Sequence, residues 1–282
     1  MTRTMTISPL LKRLCDDAAL FPPGNAPLGD ALPAHDHHLA SNYAGLVGPF
    51  VFPAGRLSEL ATAEIPVDNQ PAKNVDISLT VPGIEALADA TLRLRSIIRT
   101  RLAAIELAPA DDDSVSDVVS ALAPFDVPAY VEIPRDDRRP TFIDGLAGTG
   151  IHAKFRTGGV SADKYPDENE LAAAIRAVID GGIAFKATAG MHYAIRNTDA
   201  ETGFEQHGFL NVLLAVHRGL DGAGAREIAD VLANRDGQMI ASTLQGLDAE
   251  RQRRIRSIFR SFGTCSIADP LADLTNLQLY TI

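Results

Sequence analysis

The chain has no tryptophan and only two cysteines, Cys15 and Cys265. Two distant thiols cannot build a disulfide framework or a cysteine-based zinc site. Positive charge is also short, with 26 Lys and Arg against 36 Asp and Glu for a net charge of −10. Binding a phosphate backbone needs a basic face, so nucleic acid is not an expected partner. No apolar run approaches the ~18 residues of a membrane span; Phe209 to Val216 is too short. Met1 to Leu11 lacks the apolar core of a signal peptide. There is no internal repeat beyond a strand–helix unit, no low-complexity segment, and no Gly-rich dinucleotide fingerprint after any strand-like run. These absences describe a cytoplasmic protein with a small-molecule substrate and no membrane partner.

What is present is a long alternation. With 282 residues, 46% of them apolar, the chain can bury a large core as one α/β barrel or two smaller domains. Strand-like runs fall at Asp17–Phe21, Leu46–Phe52, Val75–Val81, Leu102–Leu107, Ala129–Ile133, His152–Phe155, Ala184–Ala187 and Ser261–Ser266. Helical periods fill the gaps, including Leu28–Tyr43, Gly83–Leu94, Ser114–Leu122, Glu168–Ile179 and Phe204–Arg218. Asp112 to Ser116 and Pro166-Asp167-Glu168 mark helix starts, while Gly181-Gly182 and Gly219 mark helix ends. Eight strands with right-handed crossovers predict an α/β fold, a (β/α)8 TIM-type barrel spanning 1–282. An open doubly wound sheet is the alternative. A helical insertion, roughly 197–258, separates strands seven and eight and holds about three helices, Phe204–Arg218, Ala225–Asn234 and Asp248–Phe259. It reads as a lid or as the surface of a homo-oligomer.

Four of the strands carry one charge each at the same place: Glu106, Glu132, Lys154 and Lys186. In a barrel alternate strand residues point inward, so these four would meet in its interior. A buried charge costs several kcal/mol unless paired or used. A lysine must be neutral to attack a carbonyl, and a second ammonium with partial burial would lower its pKa. Glu106 or Glu132 could then shuttle protons. A static network of two Glu against two Lys, merely bracing the barrel, is the plainer reading. Beside this layer lie Arg156, Gly158 and Gly159, then Thr188 and Gly190, then Gly263, Thr264 and Ser266. Glycine-rich turns at strand ends let backbone N–H groups approach an anion, and an arginine can fork onto it.

Lesser candidates follow. His192 and Arg196 lie after strand seven, where His192 could bind substrate or move a proton. His207 reads as a structural contact. His35-Asp36-His37-His38 reads as a solvated helix face, because only His35 and His38 share a side. Cys265 could be nucleophilic, but with no histidine partner identifiable it reads as a small buried strand residue. Asp16-Asp17 is placed at the bottom of the barrel, and the Phe21–Asn25 loop at its top.

These strands resemble a known family. Lys154-Phe155-Arg156-Thr157-Gly158-Gly159 looks like the Lys-Thr-Ser-Thr-Gly strand of deoxyribose-phosphate aldolase. Lys186-Ala187-Thr188-Ala189-Gly190 is similar to that family's second-lysine strand, and Phe262-Gly263-Thr264-Cys265-Ser266 to its phosphate turn. The resemblance implies Lys154 as Schiff-base nucleophile, Lys186 as its pKa-lowering partner and Glu106 as proton relay. It covers roughly a tenth of the chain, and Arg156 replaces a small hydroxyl residue, which implies a changed substrate. The whole chain also resembles uncharacterised bacterial and plant proteins described only as β/α-barrel proteins. That likeness rests on Leu20 to Asn25, Leu46 to Phe50, Phe185 to Arg196 and His207 to Asn211.

Three functions are therefore carried forward. The first is a class I aldolase-like lyase acting through a Lys154 imine on an oxo-substrate, without a cofactor. In the second, Glu106 and Glu132 hold Mg²⁺ or a similar divalent ion for an enolising isomerase or lyase. The third is a non-catalytic ligand-binding barrel.

Overall fold

The computed structural model describes residues 7–63 and 74–281. Six residues of the N-terminal stretch examined for a signal peptide therefore lie outside the described residues. Eight parallel strands close into a barrel in the order β1 (Cys15–Asp17), β10 (Phe259–Thr264), β7 (Phe185–Thr188), β6 (His152–Arg156), β5 (Ala129–Glu132), β4 (Thr100–Ala108), β3 (Val75–Pro82) and β2 (Val47–Pro53). The remaining two, β8 (Asn197–Thr198) and β9 (Glu205–Gln206), form a small antiparallel hairpin after β7. Helices alternate with the strands: α1 (Leu28–Ala40), α2 (Leu57–Thr62), α3 (Leu87–Ser96), α4 (Val115–Leu122), α5 (Arg139–Leu146), α6 (Glu168–Asp180) and α7 (Phe209–Leu220). Then come α8 (Ala225–Ala233), α9 (Gly237–Gln245), α10 (Ala249–Ile258) and α11 (Ala268–Asn276). This is the (β/α)8 architecture that the alternation predicts. Among the described residues no helix is long and apolar enough to cross a membrane.

Local chemistry explains the boundaries. Ser114 caps α4 by accepting the Asp117 N–H, and Asp167 caps α6 by accepting that of Glu170. After α6, Gly182 takes φ +64° and turns the chain into β7. Gly219 behaves differently from its expected role. It lies inside α7, and a Cβ there would come within 2.6 Å of Ile179 Cδ1. Close approach of α7 to α6 requires it, and Gly222 (φ +99°) makes the turn instead.

The insertion holds four helices rather than three. The missed one, α9, starts at Asp236, which accepts the Met239 N–H. Phe204 does not begin a helix, because β9 pairs with β8 and delays α7 to Phe209. Helix α7 is buried on nearly every side. Its Phe209 ring stacks on Phe262 of β10 at 4.8 Å, while α8 packs across α6 and α7. Within the insertion, α7 and α10 pack on barrel strand β10, and α8 adds a layer outside α6 and α7.

Two expectations near the N-terminus are overturned. Strand β1 ends at Asp17 instead of starting there, because Asp17 Oδ1 accepts the Ala19 N–H and the chain turns, with Phe21 N–H bonded to Ala18 O. Asp16 and Asp17 therefore lie toward the C-terminal end of the strand. His35 is not solvated. Asp17 faces the helix layer, and a carboxylate buried there needs a partner. His35 supplies it from α1, with Nδ1 2.9 Å from Asp17 Oδ2 and its ring against Phe50.

Candidate functional site

Strand register sets the interior. Glu132 pairs with Lys154 and Lys154 with Lys186, and Arg156 follows opposite Thr188. Phe155, Phe185 and Phe259 pack their rings together on the helix side. The same alternation turns the charged residues inward.

These residues form one alternating chain of charges. Asp16 Oδ2 accepts from Lys186 Nζ at 2.6 Å, and Lys186 also donates to Glu106 Oε1 at 2.6 Å. The other oxygen of Glu106 is 3.3 Å from Lys154 Nζ, which lies 3.0 Å from Glu132 Oε2. Glu132 Oε1 then accepts from Arg156 Nε at 2.8 Å. Three carboxylates thus alternate with three cations, so the interior is electrically balanced. Ser78 donates to Glu106 and Ser261 to Asp16, each at 2.7 Å, and the Tyr130 ring lies 5.4 Å from Lys186 Nζ.

Asp16, which the sequence places at the bottom of the barrel, belongs to this charged layer through its bond to Lys186. Its place depends on Gly48 of the neighbouring strand, where a Cβ would collide with Asp16 Oδ1. Nothing in local sequence links positions 16, 48 and 186.

The electrostatics correct the expected two-lysine device. The ammonium groups do not face each other bare, because Glu106 stands between them with one oxygen on each. Burial alone would lower the Lys186 pKa, but Asp16 and Glu106 together drive it well above its ordinary value. Lys186 is thus held as the ammonium, with Glu106 standing between it and Lys154. Burial likewise pushes Glu106 up, yet Lys186 and Lys154 override it and hold the carboxyl down at about 2. Glu132 is also held below its usual range, since Lys154 and Arg156 outweigh its burial. Asp16 shares its lysine with Glu106, and there burial wins and raises the pKa.

Access grades along the chain. Side-chain exposure is 2% at Lys186, 5% at Lys154, 17% at Glu132 and 38% at Arg156. Lys154 and Lys186 are register partners and both are buried, so Glu132 and Arg156 form the more accessible end of the chain. Among the described residues Arg156 uses only its Nε, leaving both terminal nitrogens of the guanidinium for a ligand. Arg156 also borders a shallow cleft, with room for little more than a water, between the ends of β5 and β6 and helix α6. Arg135 and Arg139 line it too, both bonded to Glu170.

The glycine turns prove to be of two kinds. A Cβ on Gly158 would lie 2.5 Å from Gly190 Cα, and Gly190 has φ +66°. These two glycines let the β6 and β7 turns touch, rather than forming an open anion cradle. Gly159 is similarly filled, against Lys164. Gly158→Ala should cost about 1–3 kcal/mol by overpacking, read as a lower urea midpoint, because its obstacle is backbone and cannot swing away. Gly263 differs, since a Cβ there would meet only Ala18 and Thr188 at 3.7 and 3.9 Å. It leaves room at the mouth.

Thr264 and Ser266 make hydrogen bonds within their own turn. Thr264 donates to Ser266 O, and Ser266 Oγ accepts the Asp269 N–H at the start of α11. Their hydroxyls hold the turn. Arg196 is buried and ion-paired to Glu168 at 2.5 Å and Glu205 at 3.2 Å. His207 is the structural histidine it was read as. Its Nε2 meets Pro166 O at 2.8 Å, and burial drops its pKa to about 4. Cys265 does have a histidine partner: its Sγ is 3.6 Å from His192 Nδ1. The two are 73 residues apart, and only the adjacency of β7 and β10 joins them.

Among the described residues no group of three or more His, Cys, Asp or Glu side chains is placed to hold a metal ion. The ammonium of Lys154 itself bridges Glu106 and Glu132, the pair that a divalent ion would need. In comparisons with known proteins, no family model and no curated protein matches this chain.

Proposed function

We propose that the chain is a lyase of aldolase type, in which Lys154 forms an imine with the carbonyl of a small anionic oxo-substrate. One observation carries this reading. Lys154 is the interior lysine whose ammonium touches a partly accessible carboxylate, Glu132, at 3.0 Å. A proton passes from Lys154 Nζ to Glu132, and the freed amine attacks the carbonyl carbon. The carbonyl oxygen takes protons in turn and leaves as water, giving the iminium. Glu132, having given up its proton to that water, takes the proton of the substrate's β-hydroxyl as the carbon–carbon bond breaks. The electron pair of that bond passes to the iminium, leaving an enamine and a free carbonyl product. Glu132 then gives this proton to the enamine carbon, and water hydrolyses the imine to release the second product and Lys154.

Arg156 links substrate recognition to this step. It helps to hold Glu132 below its usual range, which makes Glu132 a poor base while the mouth is empty. A substrate carboxylate or phosphate that draws the guanidinium away removes a counter-charge and makes Glu132 more basic. Lys186 and Asp16 take no part in the bond changes. They anchor Glu106, which in turn positions Lys154.

Borohydride trapping of a carbonyl compound on Lys154 tests the nucleophile. The anion link has its own test. Arg156→Ala should weaken binding of an anionic carbonyl compound roughly tenfold to a hundredfold, the range for a charge-assisted hydrogen bond. Binding of the neutral analogue should change less than threefold, by calorimetry or competition. Equal losses for both would make Arg156 a structural residue.

A further inference from the structure

The lysine mechanism leaves unused a second reactive group at the same end of the barrel. Cys265 follows β10 and His192 follows β7, and both side chains are partly open to solvent. Sγ and Nδ1 are 3.6 Å apart. Gly24 packs close against the cysteine, because a Cβ there would come within 2.9 Å of Cys265 Cβ. A base and an open side thus flank one thiol. Cys15, by contrast, is fully buried.

We propose that Cys265 is a nucleophilic thiol with His192 as its base, forming a covalent modification site for α,β-unsaturated carbonyl compounds. The thiol proton passes to His192 Nδ1 while sulfur bonds to the β-carbon. The carbon–carbon π pair moves onto the α-carbon and carbonyl, and the imidazolium returns its proton to the α-carbon. Atoms and charge balance with no further reactant. Burial lowers the His192 pKa, leaving a neutral acceptor, and the nearby carboxylates of Asp269 and Asp199 favour the imidazolium once formed. Burial also raises the Cys265 thiol. Spontaneous thiolate is therefore scarce, and reaction depends on the histidine.

N-ethylmaleimide is the probe, followed by intact mass and peptide mapping of the native protein. The expected result is one adduct, on Cys265, with Cys15 unlabelled until the protein is unfolded. His192→Gln should slow labelling about tenfold or more at an unchanged melting temperature, and Cys265→Ser should abolish it. His192→Asn provides a second variant should the first misfold. An unlabelled Cys265, or labelling at the same rate without His192, overturns the proposal. The readout needs no imine chemistry, so it stands or falls independently of Lys154.

Discussion

Reduction by borohydride in the presence of a small aldehyde or ketone substrate will leave one mass adduct, on the peptide that contains Lys154. The chain has five lysines, at positions 12, 73, 154, 164 and 186, so the assignment by peptide mapping is direct. Lys186 will remain unmodified, because Asp16 and Glu106 clamp its ammonium at 2.6 Å on either side. Lys154→Arg keeps a cation between Glu106 and Glu132, and with it the balance of the chain, but supplies no amine that can be freed. It should abolish both adduct and turnover, lowering kcat at least about ten-thousand-fold, as loss of a nucleophile does. Glu132→Gln removes the nearest base and should lower turnover by about 10²–10⁴. An adduct on Lys186, or none on Lys154 with a substrate that is turned over, would end the imine proposal. The plainer role of the charges, bracing the barrel, would then stand.

The largest stability effect will come from Glu106→Gln. The substitution keeps the shape and removes a charge that two lysines share, leaving ammonium groups in a dry interior with too few counter-charges. Breaking a buried pair in this way costs about 3–5 kcal/mol, measurable by urea or thermal unfolding. Replacing Lys186 and Asp16 together, as Lys186→Met with Asp16→Asn, removes one charge of each sign. It should destabilise less than either single change, a non-additivity that a double-mutant cycle measures. If the single changes merely add, Asp16 and Lys186 are not a working pair.

The same carboxylate sets an acid limit. The Glu106 pKa falls from 4.5 to about 2 on folding, which corresponds to roughly 3 kcal/mol of linked stability. A depressed carboxylate contributes fully above its unfolded value and loses that contribution as pH falls through the folded one. The loss should therefore run from about pH 4.5 down to pH 2, and Glu106→Gln should flatten it. Asp16, with a raised pKa, runs the other way and resists the acid loss in part.

The sequence by itself determined the barrel and most of its charged layer. Helix starts at Ser114 and Asp167 depend on bonds to residues three positions away. Inward charges at Glu132, Lys154 and Lys186 follow from the two-residue period of strands that neighbour in sequence also pair in space. Both signals are local, so both can be read along the chain. Only the tertiary structure decided which charges touch. Asp16 reaches Lys186 because barrel closure joins the first strand to the last, and because the β1–β2 register shifts between Cys15 and Asp17 beside Gly48. His35 was drawn inward by the outward-facing Asp17, and Cys265 met His192 across the β7–β10 seam. Register shifts and closure depend on packing around the whole barrel. They set distances between residues that no sequence period relates.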